Sequence, residues 1–154
     1  MSDVRISGTN RIPQIIQSLR ELGRYEIEVG VFGSDDSFYA MIAGVHEFGI
    51  TIRKERGSIV IPERSFLRST FDEKSDKWVK FMKKQLEHVL QGRMDAKTLC
   101  ERLGAKMVGD IQVKLTELND PSNASSTIAQ KGSSNPLIDS GGLRMRITYK
   151  VVRR

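Results

Sequence analysis

The sequence has few of the residues on which cross-links, metal sites and many catalytic centres depend. Its 154 residues include one cysteine, Cys100, and two histidines, His46 and His88. A single cysteine cannot form a disulfide within the chain, and two histidines are too few for a histidine-rich metal site. The start of the chain lacks the apolar core of a signal peptide, so we expect a protein of a reducing cytoplasm.

Long hydrophobic runs are also absent. No stretch of about 18 apolar residues occurs, which predicts that the chain does not span a membrane. Hydrophobic residues make up 38% of the chain and charged residues 29%, as is typical of a globular protein in water. The length fits one domain that covers residues 1–154.

Recognisable catalytic motifs are missing as well. His46-Glu47 begins like a metalloprotease signature, but the second histidine of that signature would fall at position 50, which is Ile50. The sequence contains no CxxC pair, no phosphate-binding glycine loop and no nucleophile elbow. Cys100 lies on an apolar helical stripe, which is typical of a core residue. We therefore predict a protein that is not an enzyme and that needs no cofactor or metal.

The hydrophobic periodicity predicts an α+β fold, in which a small, mostly antiparallel sheet packs against helices. The predicted helices lie at 10–22, in a short segment ending before Gly49, at 73–91 and at 95–118, with a short helix or turn at 63–71. The predicted strands lie at 25–32, 50–52, 59–61 and 143–151, and charged residues 53–57 join the middle two. The turn at 33–36 can cap the short helix. Gly104 and Gly109 predict close packing.

Positive charge is concentrated at the C-terminal end. The net charge is +6, and residues 140–154 contain five basic residues and no acidic one, which leaves 20 basic against 19 acidic residues elsewhere. In the predicted last strand, Arg144, Arg146 and Lys150 share one face. The opposite face is apolar and consists of Leu143, Met145, Ile147, Tyr149 and Val151. The basic face predicts an acidic partner, either nucleic acid or protein, and the simpler alternative is a solvated sheet edge.

Residues 119–136 are polar, and Ile128 is their only large aliphatic residue. Such a long segment cannot bury enough apolar surface to order itself, and long loops are usually functional or disordered. We expect a flexible loop that becomes ordered against a partner such as a neighbouring copy, with Ile128 and Lys131 as candidate contacts. Asp139, Gly141 and Gly142 then predict a turn in which one glycine has positive φ.

Three segments of the chain, in the same order, resemble the tail-completion proteins of tailed bacteriophages, also called minor tail, neck or virion-morphogenesis proteins. They are His46-Glu47-Phe48-Gly49, Ile61-Pro62-Glu63-Arg64-Ser65-Phe66-Leu67-Arg68 and Leu137-Ile138-Asp139-Ser140-Gly141-Gly142-Leu143. The family carries similar H-E-F-G, I-P-x-R-P-F-L and P-L-x-D-T-G-x-L elements, within about residues 25–152. The motif positions in the first two segments are His46, Phe48, Gly49, Pro62, Arg64, Phe66 and Leu67. Ser65 stands where the family often has proline, and Ser140 where it often has threonine.

The resemblance implies a structural virion protein that is assembled in the host cytoplasm and lies at the head-proximal end of the tail. It implies a homo-oligomeric ring, commonly a hexamer, that contacts the tail terminator, the tail tube and the head connector and lets double-stranded DNA pass. The loop at 119–136 would then cover a neighbouring subunit, and the basic strand would face an acidic neighbour or the DNA. Two alternatives stay open. One is another connector ring, either the tail terminator or the head-closure protein. The other is a stand-alone nucleic-acid-binding module, whose affinity for free DNA would depend steeply on salt.

Overall fold

The computed structural model describes residue 8 and residues 10–118 and 141–154, and they form an α+β fold as predicted. The helices are α1 (Ile12–Leu22), α2 (Ser37–Phe48), α3 (Leu67–Leu90), α4 (Ala96–Glu117) and the short α5 (Gly142–Met145). The strands are β1 (Tyr25–Gly30), β2 (Ile50–Lys54), β3 (Gly57–Ile61) and β4 (Thr148–Arg153). Within these described parts, no helix is both long enough and apolar enough to cross a membrane.

The four strands form two separate antiparallel sheets, one from β1 and β4 and the other from β2 and β3. β1 lies beside β4 so that Val29 is opposite Tyr149, and this sheet packs against α4. A Cβ added at Gly104 on α4 would lie 2.5 Å from Cδ2 of Tyr149, so the prediction of close packing is confirmed there. The same prediction for Gly109 is wrong, since a Cβ at that position would meet nothing within 4 Å.

The main core surrounds Phe66, the residue that precedes α3. It is built by α2, α4 and the segment from α5 to β4. Phe66 is fully buried, as is Leu115 on α4. The other buried members of this cluster are Ala43, Ile111, Leu143 and Ile147. The prediction that Cys100 is a core residue is also confirmed, because it is 4% exposed and its burial raises the pKa of its thiol.

The predicted positions of the helices agree with the structure, with one extension. α3 begins at Leu67, so the short helix or turn predicted at 63–71 is partly continuous with the helix predicted at 73–91. The predicted cap before α2 is confirmed, because the side chain of Asp36 accepts the backbone N–H of Tyr39 at 3.2 Å. Asp95 caps α4 in the same way by accepting the N–H of Thr98 at 2.8 Å.

The prediction of a continuous strand at 143–151 is wrong over its first half. Residues 142–145 form α5, and β4 begins only at Thr148. Met145, which alternation predicts to be buried, is 71% exposed, whereas Leu143 and Ile147 are both buried. These two residues are four positions apart, a spacing that places side chains on one side of a helix as well as of a strand. Alternation could not distinguish the two structures here.

The paired glycines form the start of α5. Gly141 has a φ of 71°, which confirms the predicted positive φ, and its carbonyl accepts the N–H of Met145 at 3.0 Å. Gly142 is required for another reason, because a Cβ there would overlap the hydroxyl of Tyr39 on α2. Asp139 and the loop predicted at 119–136 lie outside the described residues.

Candidate functional site

Two of the three segments that resemble the phage family lie against each other. Residues 46–49 end α2, and residues 61–68 run from the end of β3 into α3. The backbone N–H of Arg64 donates to the carbonyl of His46 at 2.7 Å. The hairpin of β2 and β3 leaves the molecule at Gly49 and returns at Pro62. We call the contact between residues 46–49 and 61–68 the hairpin base.

The carboxylate of Glu47 is the centre of the hairpin base. Its Oε2 accepts the backbone N–H groups of Phe66 and Leu67, both at 2.9 Å. Its Oε1 accepts the backbone N–H of Arg68 at 3.0 Å and the hydroxyl of Ser65 at 2.7 Å. These N–H groups at the start of α3 have no partner within that helix, so Glu47 caps α3 from a different helix.

Arg68 binds Glu47 from the solvent side. Its Nε donates to Glu47 Oε1 at 3.0 Å, and its Nη2 donates to the carbonyl of Glu47 and to Glu63, both at 2.7 Å. The hydrogen bond to Glu47 raises the pKa of the Arg68 guanidinium. Arg68 therefore closes the hairpin base and links it to residue 63 at the end of the hairpin.

Glu47 is only 3% exposed, so its charge needs these partners. Burial acts to raise the pKa of its carboxyl group, but the hydrogen bonds from Leu67, Arg68 and Ser65 outweigh burial and leave the pKa below its ordinary value. A carboxylate that stays ionised at neutral pH is poorly suited to donate a proton, because an effective general acid has a pKa near the working pH. The geometry assigns Glu47 a structural role.

Gly49 and Ser65 occupy positions where the residue type matters. Gly49 has φ 68° and ψ 164°, a region that only glycine enters readily, and a Cβ there would lie 2.8 Å from the backbone N of Glu63. The hydroxyl of Ser65 donates to Glu47 and accepts the N–H of Ser69 at 3.3 Å. Proline, which the phage family often has at this position, could make neither bond, so Ser65 adds contacts to the hairpin base.

The other motif positions lie on the two sides of this contact. Phe66 is fully buried in the core, and Arg64 is 6% exposed, so that burial lowers the pKa of its guanidinium. Phe48 is exposed, and the guanidinium carbon of Arg68 lies 4.7 Å from the centre of its ring. The structure thus brings together all the motif positions of the first two segments, which are His46, Phe48, Gly49, Pro62, Arg64, Phe66 and Leu67.

Glu47 and Arg68, which make most of these bonds, are absent from the site residues predicted from the sequence. A signal for Glu47 was present, because it is the only acidic residue in α2, a helix that is otherwise mostly apolar. A lone acid in an apolar helix needs a hydrogen-bonded partner if it is buried. The partner could not be identified, since it comes from a segment on the far side of the hairpin.

The hairpin of β2 and β3 presents an exposed apolar face. Its register pairs Ile50 with Ile61 and Ile52 with Ile59, so that these isoleucines lie on the same face. Ile50, Ile52 and Ile59 are 42% to 43% exposed. A two-stranded hairpin without a second layer is marginally stable in water, and exposed apolar patches mark interaction sites. We call this surface the isoleucine face.

The turn of the hairpin is basic. We use the name basic turn for the last two residues of β2, Arg53 and Lys54, together with Glu55 and Arg56 of the turn itself. All four are exposed, and none of them forms an ion pair with another residue in the described ranges. Three cations and one anion leave this turn with an excess positive charge. The isoleucine face and the basic turn together make the hairpin the clearest candidate for an interaction site.

Four of the five basic residues near the C-terminal end form ion pairs with acidic residues of the same chain. Arg146 Nε donates to Asp36 Oδ2 at 2.5 Å, and its guanidinium carbon lies 4.0 Å from the centre of the Tyr39 ring. Lys150 donates to Asp35 at 3.0 Å. These hydrogen bonds hold the pKa values of Asp36 and Asp35 below their ordinary range. The remaining two pairs are Arg153 with Glu21 and Arg154 with Glu26.

The prediction that Arg144, Arg146 and Lys150 share one face of a strand is therefore wrong. Arg144 and Arg146 belong to α5 and to the turn after it, and only Lys150 lies on β4. Arg146 and Lys150 instead form ion pairs with Asp36 and Asp35, which lie in the turn between β1 and α2. The two other predicted contact residues, Ile128 and Lys131, lie outside the described residues.

An apolar cleft opens between β1, α3 and α4. It has a volume of about 300 Å³ and is lined by residues that include Ile27, Leu67, Phe71, Trp78, Met107 and Ile111. Trp78 at its wall donates to Asp110 at 2.7 Å. In the part of the chain that the structure describes, no three His, Cys, Asp or Glu side chains are grouped so that they could hold a metal ion.

No protein-family model, no curated protein and no solved structure matches this chain.

Proposed function

We propose that the chain is a structural component of a tailed-bacteriophage virion, where it forms part of a tail-completion or neck ring that joins the tail to the head. The proposal starts from the three ordered segments that resemble this family. The observation that carries it furthest is the hairpin base. Two of the segments, separated in sequence by the whole hairpin, form a single contact around Glu47.

The third segment supports the same proposal. Its last residue, Leu143, is 3% exposed and belongs to the same core cluster as Phe66 from the second segment and Ala43 from α2. The residues that carry the resemblance therefore connect one core to one projecting hairpin. A rigidly attached hairpin with an exposed apolar face is a suitable element for holding copies of a chain together in a ring.

The alternative of a stand-alone nucleic-acid-binding module has less support. Four of the five basic residues that suggested it already have acidic partners in the chain. Substantial affinity for DNA would have to come from other cations, such as the three of the basic turn. We expect the purified chain to bind double-stranded DNA weakly at about 0.15 M salt. Another connector ring, such as the tail terminator or the head-closure protein, would use the same features.

A gene deletion in the phage that encodes the chain tests the proposal. We expect filled heads and finished tails to accumulate separately in electron micrographs, and a copy of the gene supplied in trans to restore joined particles. The chain should also be located as a single ring at the head–tail junction. Wild-type particles that lack the chain, or that contain it in a helical array along the whole tail, would contradict the proposal.

A further inference from the structure

We propose that the hairpin of one copy packs on the first half of α3 of a neighbouring copy, with the isoleucine face over Phe71 and the basic turn beside Asp72 and Asp76. This inference rests on the proposed ring and identifies the contact that builds it. Both surfaces belong to this chain, and both are open in the single copy.

The hairpin supplies the first surface. Ile52 and Ile59 lie opposite each other on the isoleucine face and keep 42% and 43% of their surface exposed. Every residue of β2 and β3 except Ile61 is exposed, so no second layer covers this face within the described chain. Burying such a face against another apolar surface removes it from water and therefore favours association.

The first half of α3 supplies the second surface. Phe71 is 57% exposed and Val79 is 44% exposed. Phe71 also forms the edge of the apolar cleft whose wall includes Trp78. Asp72, Asp76 and Val79 follow each other at intervals of about a helical turn and therefore lie on one side of the helix. The surface thus passes from an apolar cleft, across exposed apolar residues, to two carboxylates.

Between residues 71 and 79, the side of α3 that carries Val79 has two carboxylates and no lysine, whereas the basic turn has an excess of positive charge. Arg53, Lys54 and Arg56 outnumber Glu55 in the turn of the hairpin, and none of them has an ion-pair partner among the described residues. Asp72 and Asp76 are likewise exposed and form no ion pair with a described residue. Complementary charge of this kind orients an interface and excludes wrong partners.

The dimensions of the two surfaces also agree. Strands of five residues extend about 17 Å, and the helix advances about 12 Å between positions 71 and 79. A hairpin laid on this part of α3 can therefore reach the apolar residues with its isoleucine face and the carboxylates with its turn. Because the two surfaces differ, the contact is heterologous, and such contacts form rings when the rotation closes.

Cross-linking tests the proposed contact on the full chain. An Ile52→Cys variant is mixed in concentrated solution with a Phe71→Cys variant of different mass, and a short bismaleimide is added. We expect at least about tenfold more mixed dimer than from Ile52→Cys with Val113→Cys, since docking raises the effective concentration of the two thiols. Val113 on α4 is 50% exposed, whereas the native Cys100 is 4% exposed and should not react. Equal yields in the two mixtures, or no mixed dimer in either, would overturn the proposal.

A charge exchange tests the orientation. Two sets of substitutions reverse the charges, one in the basic turn (Arg53→Glu, Lys54→Glu and Arg56→Glu) and one on α3 (Asp72→Lys and Asp76→Lys). Either set alone should reduce the cross-linking to the level of the Val113→Cys control. Combining both sets should restore it, whereas Lys77→Glu with Lys84→Glu, on the opposite side of α3, should have no effect. These side chains are exposed, so the fold should be retained, which circular dichroism would verify. Failure of the combined variant to recover would overturn the proposed orientation.

The test of this contact and the test of the proposed function can fail independently of each other. A chain that is missing from particles but still gives the specific cross-link would refute the virion role and leave this contact standing. A chain that is present at the head–tail junction but gives no cross-link between Ile52→Cys and Phe71→Cys would refute the contact alone.

Discussion

The hairpin base and the hairpin that it carries differ sharply in how far they are buried. Glu47 at the base is 3% exposed and accepts hydrogen bonds from the backbone of Phe66, Leu67 and Arg68. Ile52 in the hairpin keeps 42% of its surface exposed. The chain thus buries a charge to fix where the hairpin leaves the core, and leaves the apolar hairpin uncovered. Such a combination favours a rigidly attached arm over a loose loop.

The two basic regions of the molecule differ in a similar way. Arg146 and Lys150 near the C-terminal end are bound to Asp36 and Asp35. The cations in the turn of the hairpin have no such partners within the described chain. An excess of positive charge in a sequence therefore does not show by itself where a partner binds. The cations that have no partner among the described residues make the hairpin a better candidate for a binding surface than the last strand.

The largest predicted effect comes from removing the carboxylate of the base. Glu47→Ala leaves the N–H groups of Phe66, Leu67 and Arg68 without their acceptor, and we expect a loss of about 3–5 kcal/mol in the free energy of unfolding. Urea denaturation measures this loss. Glu63→Ala is the matched control, because it removes only an exposed contact with Arg68 and should cost about 1 kcal/mol or less. Similar losses in the two variants would show that Glu47 does not hold the base.

The backbone at Gly49 gives the next largest effect. Gly49→Ala adds a Cβ 2.8 Å from the backbone N of Glu63 at a φ of 68°, and we expect it to cost more than about 2 kcal/mol in unfolding free energy. Gly92→Ala is the control, since Gly92 has a φ of 72° but open space around it. It should cost only the backbone strain, about 1–2 kcal/mol. If both alanines cost the same, crowding at the base contributes nothing.

The pH dependence of stability should also show the contribution of the hairpin base. The pKa of Glu47 in the folded chain lies below its ordinary value of 4.5. Its contribution is therefore fully present above that value and is lost as the pH falls through the lowered pKa. Denaturation of the wild type and of Glu47→Gln across the acid range measures the difference. The wild type should lose more stability than Glu47→Gln, and parallel curves would contradict the account.

The smallest effect is predicted for the C-terminal cations. Arg146→Glu places a negative charge beside Asp36, so we expect it to lower the thermal unfolding temperature. Arg144→Glu is the control, because it makes the same change at an exposed residue on α5. Calorimetry on both variants shows whether Arg146 stabilises the chain through its pair with Asp36 or is free to bind a partner. If Arg144→Glu destabilised the chain as much as Arg146→Glu does, the pair with Asp36 would not be important.

Much of the fold could be predicted from the sequence, because most elements have a clear hydrophobic period and local caps. The strand predicted from residue 143 onward is wrong over its first half, since Leu143 and Ile147 fit both periods. The exposure of Met145 and the positive φ of Gly141 distinguish the helix from a strand. The motif positions around the hairpin were predicted, but their contact was not. Glu47 bonds to residues on the far side of the hairpin, and no local pattern specifies such a pairing.

Hydrogen exchange resolved by residue compares the hairpin base with the hairpin most directly. In the free chain at low concentration, the amides of Phe66, Leu67 and Arg68, which donate to Glu47, should open only with global unfolding. The amides of β2 and β3 should exchange much faster, and should become protected when copies assemble. Two results would contradict the account of a fixed hairpin base that carries an interaction arm. One is that the hairpin amides of the free chain are as protected as those of Phe66, Leu67 and Arg68. The other is that the hairpin amides gain no protection when copies assemble.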